Sequence, residues 1–193
     1  FAITSANAAN MCAQDIYLLI VPQFHVMAWG APYSGLLAGS TMVLPSLHLQ
    51  PEAIIRILKD EKVTKANGVP TIWLGVYEAM KKNPPKEKLA IQEYHVAGSA
   101  LPSSLIEAFE KDFGIVGVHA WGMTETSLLG TLSCLQPKHA QLSDKEKLKI
   151  RAKQGIGFPG IEMRIVKDDG SMAPRDGKTF GELQVKGAWV IRS

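Results

Sequence analysis

The strongest constraint on the fold is the alternation of short apolar runs with longer segments of helical periodicity. The apolar runs are only four to seven residues long, which suits buried strands, and Pro22 and Pro45 each end one of them. We predict strands over residues 15–21, 41–44, 63–66, 94–97 and 115–119, and helices over 26–38, 51–62, 71–82 and 102–113. Strands separated by helices of this length indicate βαβ units and a mostly parallel sheet.

The pattern changes after about residue 140. Ser143 and Glu146 have the spacing of a capping box, which predicts a charged helix to about residue 153. Residues 161–166 and 182–186 alternate apolar and polar side chains, which predicts antiparallel strands. We therefore predict an α/β fold: a mostly parallel sheet with flanking helices, followed by the start of a small antiparallel β lobe. The expected division is an α/β part over 1–140, and a linking helix with the β part over 141–193.

Composition excludes several classes of protein. With 193 residues, 46% of them hydrophobic and 20% charged, the chain has the composition of a globular protein and not of a disordered or fibrous one. A net charge of +3 gives no argument for a nucleic-acid partner, and the longest apolar run, 16–22, is too short to span a membrane. The first ten residues lack a secretory signal pattern, and the two cysteines suggest neither disulfides nor zinc, so we expect a cytoplasmic location.

Two motifs invite a functional interpretation but lack the context for it. Gly155, Gly157 and Gly160 match a dinucleotide-binding spacing, yet a predicted helix precedes them and a strand follows, the reverse of what that site needs. We expect only a glycine loop there. Residues 168–170, Asp-Asp-Gly, are typical of a hairpin turn. The five histidines also lack the spacing of a metal cluster.

Residues 119–126, HAWGMTET, combine several groups that suit a nucleotide just past a predicted parallel strand. Trp121 can stack on a base, and Gly122 permits close approach of the backbone. Thr124 can donate to a phosphate oxygen, and Glu125 can hold a magnesium ion that bridges phosphates. The alternative is a helix start that is capped by one of the two threonines, with the tryptophan in the core.

This segment resembles the aromatic-Gly-x-Thr-Glu motif of the adenylate-forming superfamily, which includes acyl-CoA synthetases, luciferases and peptide-synthetase adenylation domains. Four further blocks occur in the order typical of that superfamily: Pro22-Gln-Phe-His25, Gly68-Val-Pro-Thr71, Ala97-Gly-Ser-Ala100 and Gly181-Glu-Leu-Gln-Val-Lys-Gly187. The resemblance covers essentially the whole chain. Residues 24–45 and 141–155 look most like bacterial medium- and long-chain fatty acyl-CoA synthetases.

The resemblance implies a two-step reaction with ATP, Mg²⁺ and CoA. A fatty acid attacks the α-phosphate of ATP to give an acyl-adenylate and pyrophosphate, and the CoA thiol then displaces AMP. The phosphate-binding loop of the superfamily would precede residue 1, whereas its ribose-binding aspartate and catalytic-lysine domain would follow residue 193. We therefore expect a central fragment of the large domain that is inactive alone.

Residue roles follow from the same resemblance. Trp121, where the family usually has tyrosine, would stack on adenine. Thr124 would contact the α-phosphate, and Glu125 would ligate magnesium. His25 would lie near the acyl carbonyl and complete the catalytic set. The other expected nucleotide contacts are Gly98, Ser99, Ala100, His119, Ala120, Gly122 and Met123.

An acyl tunnel is also implied, with Trp29 as its gate and Val69 in its lining. The alternative for His25 and for Trp29 is a place in the core, and Trp73 and Trp189 are assigned to packing. The apolar surroundings disfavour an amino-acid substrate, but an aryl- or other acid–CoA ligase stays open. So do a non-catalytic module that binds a nucleotide or acyl group and a purely structural fragment. An unpaired sheet edge would allow a homodimer.

Overall fold

The computed structural model describes residues 10–47, 49–127 and 129–191. The expectation about a secretory signal concerns residues that lie mostly outside these ranges. The helices are α1 Val26–Trp29, α2 Ala31–Ala38, α3 Pro51–Asp60, α4 Pro70–Lys82, α5 Ser103–Phe113 and α6 Asp144–Arg151. The strands are β1 Ile16–Leu19, β2 Thr41–Val43, β3 Lys65–Gly68, β4 Glu93–Val96, β5 Val116–Trp121, β6 Thr131–Leu132, β7 Ile156–Gly157, β8 Ile161–Val166 and β9 Glu182–Gly187.

Seven strands form one sheet in the order β2-β1-β3-β4-β5-β6-β7. The first five pair in parallel, whereas β6 and β7 are added antiparallel at one edge. Strands β8 and β9 form a separate antiparallel pair, in register from Ile161–Gly187 to Val166–Glu182. The predicted fold class, a mostly parallel α/β sheet followed by a small antiparallel β element, is confirmed.

Local sequence signals explain where the helices begin and end. The predicted helix over 26–38 is two helices that meet at Gly30, and Pro32 lies in the first turn of the second, as its fixed φ favours. Gly114 ends α5 in the left-handed conformation, with φ +69°. The capping box predicted at Ser143 and Glu146 is present, because each residue bonds the backbone N–H of the other.

The glycine-rich segment at 155–160 is partly a strand. Gly155 has φ +95°, and a Cβ there would lie 2.0 Å from the backbone of Leu132, so the chain turns tightly against β6. Residues 156–157 then pair with β6, and they complete the large sheet. The expected glycine loop therefore also supplies the last strand of the sheet.

The core has two parts because successive side chains of a strand point to opposite faces. Leu18 and Tyr94 face the larger part, beneath helices α3, α4 and α5. Its largest residue is Trp73, which is fully buried with its ring centroid 4.8 Å from that of Tyr94, as the packing assignment expected. Leu19 faces the smaller part, which contains Met27 of α1 and Phe158.

A buried ion pair joins the starts of β1 and β3. The Lys65 Nζ lies 3.0 Å from Asp15 Oδ2, and both side chains are buried. Thr64 donates to the other carboxylate oxygen at 2.8 Å, and the backbone N–H of Cys12 donates to Oδ2 at 2.9 Å. Burial alone would raise the pKa of Asp15, but these hydrogen bonds together hold it below its ordinary value.

Replacement of Lys65 with methionine leaves this carboxylate buried without a cation. We expect a loss of about 3–5 kcal/mol in the free energy of unfolding, which urea denaturation measures. The double variant Lys65→Met/Asp15→Leu removes both charges and should recover most of that loss, while the exposed control Lys82→Met should change little. Equal losses in the single and double variants would contradict the ion pair as the cause.

The same pair predicts a pH dependence. Because the folded pKa of Asp15 is lowered, its contribution to stability is full above the ordinary value of 3.8 and disappears as the pH falls through the folded value. The double variant should lack this component of acid denaturation.

Candidate functional site

Predicted site residues from four separate parts of the sequence follow neighbouring parallel strands. His25 lies on the connection after β1, Val69 directly after β3, Gly98 after β4, and Trp121 at the end of β5. These four strands are adjacent and parallel, in the order β1-β3-β4-β5. Their carboxyl ends therefore meet at one edge of the sheet, where open α/β folds bind their ligands.

Three of these connections are in contact through Gly98. Its φ is +87°, a conformation that side chains rarely adopt, and a Cβ there would lie 3.0 Å from the Met27 Sδ. The same Cβ would lie 3.8 Å from Val69 Cγ1. Ser99 and Ala100 follow on the surface. The loop after β4 therefore lies directly on α1 and on the first residue after β3.

His119 and Ala120 form the buried part of the 119–126 segment. His119 is only 2% exposed, and its Nε2 accepts from the backbone N–H of Leu101 at 3.4 Å. Its Nδ1 lies 3.3 Å from the carbonyl oxygen of Ala152, so the imidazole ties β5 to the segment before α5 and to the C-cap of α6. Both ring nitrogens have protein partners. Contact between His119 and a nucleotide stays a prediction. Because both ring nitrogens are used, such a contact would involve the backbone of His119 and not its side chain.

Trp121 lies at the end of β5 with its ring against Gly130. A Cβ on Gly130 would lie 2.3 Å from the Trp121 Cζ3 and 2.6 Å from Cε3, so only glycine allows this position of the ring. The backbone holds the pair together, because the Gly130 N–H donates to the Trp121 carbonyl at 2.8 Å. The indole remains partly exposed. The alternative that placed Trp121 wholly in the core is not what the structure shows.

A single 3₁₀ turn, Thr124–Thr126, presents the polar residues of the segment. Thr126 is buried, and its hydroxyl accepts from the Met123 N–H at 2.9 Å and donates to the Met123 carbonyl at 3.1 Å. Met123, Thr124 and Glu125 are exposed. The Glu125 carbonyl also accepts from the N–H of Ile191 at 2.9 Å, which anchors the turn to the segment after β9.

His25 and Trp29 are exposed, so neither is a core residue. His25 caps α1, since its Nδ1 accepts from the Met27 N–H at 3.1 Å. Trp29 is 43% exposed, and its indole N–H donates to the Phe24 carbonyl at 2.8 Å. Both side chains are therefore held by local hydrogen bonds on the surface of the α1 segment.

The fit of a magnesium ion depends on Glu125. Within the described ranges, no group of three or more acidic, histidine or cysteine side chains could hold a metal by itself. Mg²⁺ is commonly bound through one or two carboxylates with waters and substrate phosphates. The exposed Glu125 carboxylate fits that mode, with the nucleotide supplying the other ligands.

The sequence predictions missed a partly open cavity of about 60 Å³ in the smaller part of the core. It lies beneath Ala97 and Ala120, the chain neighbours of Gly98 and Trp121, and Tyr17, Asn67 and His95 add polar groups to its wall. A signal existed, because polar residues alternate with other residues along β3 and β4. Only the pairing of the strands shows that these polar groups meet in one place.

A hydrogen bond links Tyr17 and His95 of this wall, and a second one links His95 to Glu93 outside it. The Tyr17 hydroxyl lies 3.4 Å from the His95 Nδ1, and the His95 Nε2 lies 3.4 Å from a Glu93 carboxylate oxygen. Burial raises the pKa of Tyr17, so its hydroxyl stays protonated, whereas the hydrogen bond from His95 lowers the pKa of Glu93.

Comparison with known proteins identifies the family. The sequence pattern of the AMP-binding enzymes matches residues 2–193, so the chain belongs to the AMP-binding enzyme family. It is 40% identical over 193 residues to a 3-methylmercaptopropionyl-CoA ligase of Ruegeria lacuscaerulensis, which covers all of this chain and 36% of that protein. It is also 40% identical over 186 residues to a medium-chain-fatty-acid–CoA ligase of Ectopseudomonas oleovorans, covering 96% of this chain and 34% of that protein.

Solved structures share the fold. A long-chain-fatty-acid–CoA ligase from Archaeoglobus fulgidus superposes with a TM-score of 0.82 at 18% identity, over 98% of this chain and 37% of that one. An o-succinylbenzoate–CoA synthetase from Bacillus subtilis, solved with ATP and a magnesium ion, gives 0.78 at 25% identity over 100% and 37% of the two chains. The chain spans about a third of the length of the relatives that it matches.

The packing of Trp121 on Gly130 makes a specific prediction. Gly130→Ala should displace the indole and cost about 1–3 kcal/mol in the free energy of unfolding, because a methyl group overpacks the contact. Adding Trp121→Phe, which lacks the outer ring atoms of tryptophan, should recover most of that cost. Urea denaturation of the single and double variants measures both effects.

Gly157→Ala is the matched control in the same sheet, since a Cβ there would meet only ordinary contacts, 3.5 Å or longer. If Gly130→Ala cost the same with tryptophan or phenylalanine at position 121, the ring would not be the cause.

Proposed function

We propose that this chain is the central part of an AMP-forming acid–CoA ligase, which activates a carboxylic acid with ATP and transfers the acyl group to CoA. The observation that carries the proposal is the meeting of four predicted site segments at the carboxyl edge of β1, β3, β4 and β5. The family and the names of its relatives support the same reaction class. Because the chain spans about a third of those relatives, the activity is proposed for the longer protein.

In this proposal, adenine stacks on the partly exposed indole of Trp121, which Gly130 holds in place. Gly98, Ser99 and Ala100 line the other side of the nucleotide. Gly122 and Met123 contribute backbone contacts. His119 and Ala120 contribute only through the backbone, since their side chains are buried.

Thr124 and Glu125 serve the phosphates. The Thr124 hydroxyl donates to the α-phosphate, where negative charge increases as the carboxylate attacks. Glu125 would hold magnesium, which neutralises phosphate charge when it is bound. Both residues lie on one short turn, and the hydroxyl of Thr126 and the backbone of Ile191 hold that turn. This anchoring keeps the donor and the carboxylate in a constant relative position.

The acyl group would enter past His25 and Trp29, which share the short helix α1. His25 would lie near the acyl carbonyl, and its cap bond through Nδ1 leaves Nε2 for that contact. Val69 lines the entry, because it packs in the same part of the core as Met27. The cavity beneath Ala97 and Ala120 would receive the tail.

The remaining expectations are also proposals. We infer a cytoplasmic enzyme that forms a homodimer, whose ligands are a carboxylic acid, ATP and CoA, and which has no nucleic-acid partner. Among the described residues, no helix is both long and apolar enough to cross a membrane. The division near residue 140 stays a prediction, with β7 at 156–157 still part of the large sheet.

The stacking role of Trp121 predicts a loss of nucleotide affinity on truncation. Trp121→Ala should weaken AMP binding about 10- to 100-fold, the range for loss of one base–aromatic stack, whereas Trp121→Tyr should retain most of the affinity. Isothermal titration calorimetry of the 193-residue chain measures both variants. Unchanged AMP affinity in a folded Trp121→Ala chain would exclude this base-binding role.

If Glu125 binds magnesium, its replacement should weaken the binding of Mg²⁺-ATP but not that of metal-free AMP. Glu125→Gln should weaken Mg²⁺-ATP binding about tenfold, since one charged ligand is lost, and leave metal-free AMP binding unchanged. Glu162→Gln, an exposed carboxylate on β8, is the control. Equal effects of Glu125→Gln on the two nucleotides would argue against a metal ligand.

A further inference from the structure

The partly open cavity runs along the sheet from the proposed nucleotide site toward the starts of the strands. Ala97 and Ala120 lie at its upper end, next to Gly98 and Trp121. His95 lies two residues earlier on β4 than Ala97, about 7 Å further from the carboxyl edge. Tyr17 pairs in register with Lys65, which in turn pairs with Glu93. Tyr17 is therefore at the level of Glu93, and lies even further from the carboxyl edge than His95. The two polar residues thus line the cavity at the end away from the carboxyl edge, where Met11 also lines it.

Hydrogen bonds hold this end wall in place. The Tyr17 side chain is only 5% exposed, and its hydroxyl bonds to His95, which in turn bonds to Glu93. The rings of Tyr17 and His95 pack edge to face with centroids 6.0 Å apart. Movement of Tyr17 away from the cavity would leave a buried hydroxyl without its partner, which costs free energy.

Asn67 forms a side wall of the cavity, and hydrogen bonds hold its side chain in place. Its Oδ1 accepts from the backbone N–H of Ile20 at 3.2 Å, and its Nδ2 donates to the Met27 carbonyl at 3.3 Å. Both ends of the amide are therefore used in joining β1 and α1. The cavity cannot widen at this point unless one of these two bonds breaks.

The volume then limits the ligand. A space of about 10–15 Å³ holds one water, and about 150 Å³ admits benzene. On that scale, the cavity of about 60 Å³ holds about three carbon-sized atoms, which is less space than a ring fills. We propose that Tyr17 and His95 form the end wall of the acyl pocket and restrict the substrate to short acids of about butyrate size. This inference rests on the proposed ligase function.

The test is calorimetric titration of the chain with non-hydrolysable acyl-sulfamoyl adenosines that carry acetyl, butyryl, octanoyl or benzoyl groups. The butyryl compound should bind about tenfold more tightly than the acetyl one, since each buried methylene contributes about fourfold. The octanoyl and benzoyl compounds should bind at least tenfold more weakly than the butyryl one. Octanoyl binding as tight as butyryl binding would overturn the inference.

Variants of the end wall show whether Tyr17 sets the limit. Tyr17→Leu should improve octanoyl binding about tenfold, whereas Tyr17→Phe, which keeps the ring, should keep the preference for butyryl. Ala31→Leu adds a large side chain to the cavity from α2. Unlike Tyr17→Leu, it removes no large side chain from the core. It should reduce butyryl binding to the acetyl level, while Ala38→Leu on the same helix should not. An unchanged length preference in both Tyr17→Leu and Ala31→Leu would overturn the inference.

Failure of the proposed function is distinguishable from failure of this inference. AMP alone tests the nucleotide site, and a folded chain that does not bind AMP contradicts the proposed function. The ¹³C-methyl resonance of Met27, whose side chain lines the cavity, then reports on the pocket separately. A shift with butyrate and none with octanoate or benzoate supports the short-acid pocket. No shift with butyrate, or an equal shift with octanoate, overturns it.

Discussion

Parallel hydrogen bonding between β1, β3, β4 and β5 makes the carboxyl ends of four strands meet at one edge of the sheet. The segments that carry His25, Val69, Gly98 and Trp121 lie far apart in the sequence, and this constraint alone brings them to the same edge. At the opposite end, the buried ion pair of Lys65 and Asp15 joins β1 to β3. Because a buried charge without its partner is costly, the pair favours one alignment of these strands.

Within the 119–126 segment, burial separates side chains that bond to the protein from side chains that face the solvent. His119 and Thr126 are buried, and their side chains bond to the protein, so they fix the strand end and the turn. Thr124 and Glu125 are exposed between them. These exposed groups project from backbone that is already hydrogen-bonded, so a ligand that contacted them would meet a preorganised surface.

Close packing also determines the shape of the carboxyl edge and of the cavity beneath it. Gly98 and Gly130 each occupy a position that a Cβ would crowd, one against Met27 and the other against Trp121. Beneath them, Tyr17 is held through His95 to Glu93 and lines the cavity. Small residues near the carboxyl edge and hydrogen-bonded polar residues deeper in the sheet together leave only a small space between them.

Local signals in the sequence determined much of the fold. Apolar runs, Pro32 at a helix start, Gly114 at a helix end and the Ser143 capping box predicted the elements, since each acts over a few residues. Short motifs also predicted the segments of the candidate site. The contact of Trp121 with Gly130, the burial of His119 and the cavity that Tyr17 lines were decided only by the tertiary structure. Each of these depends on which strands pair and in which register, and that requires contacts between residues distant in the chain.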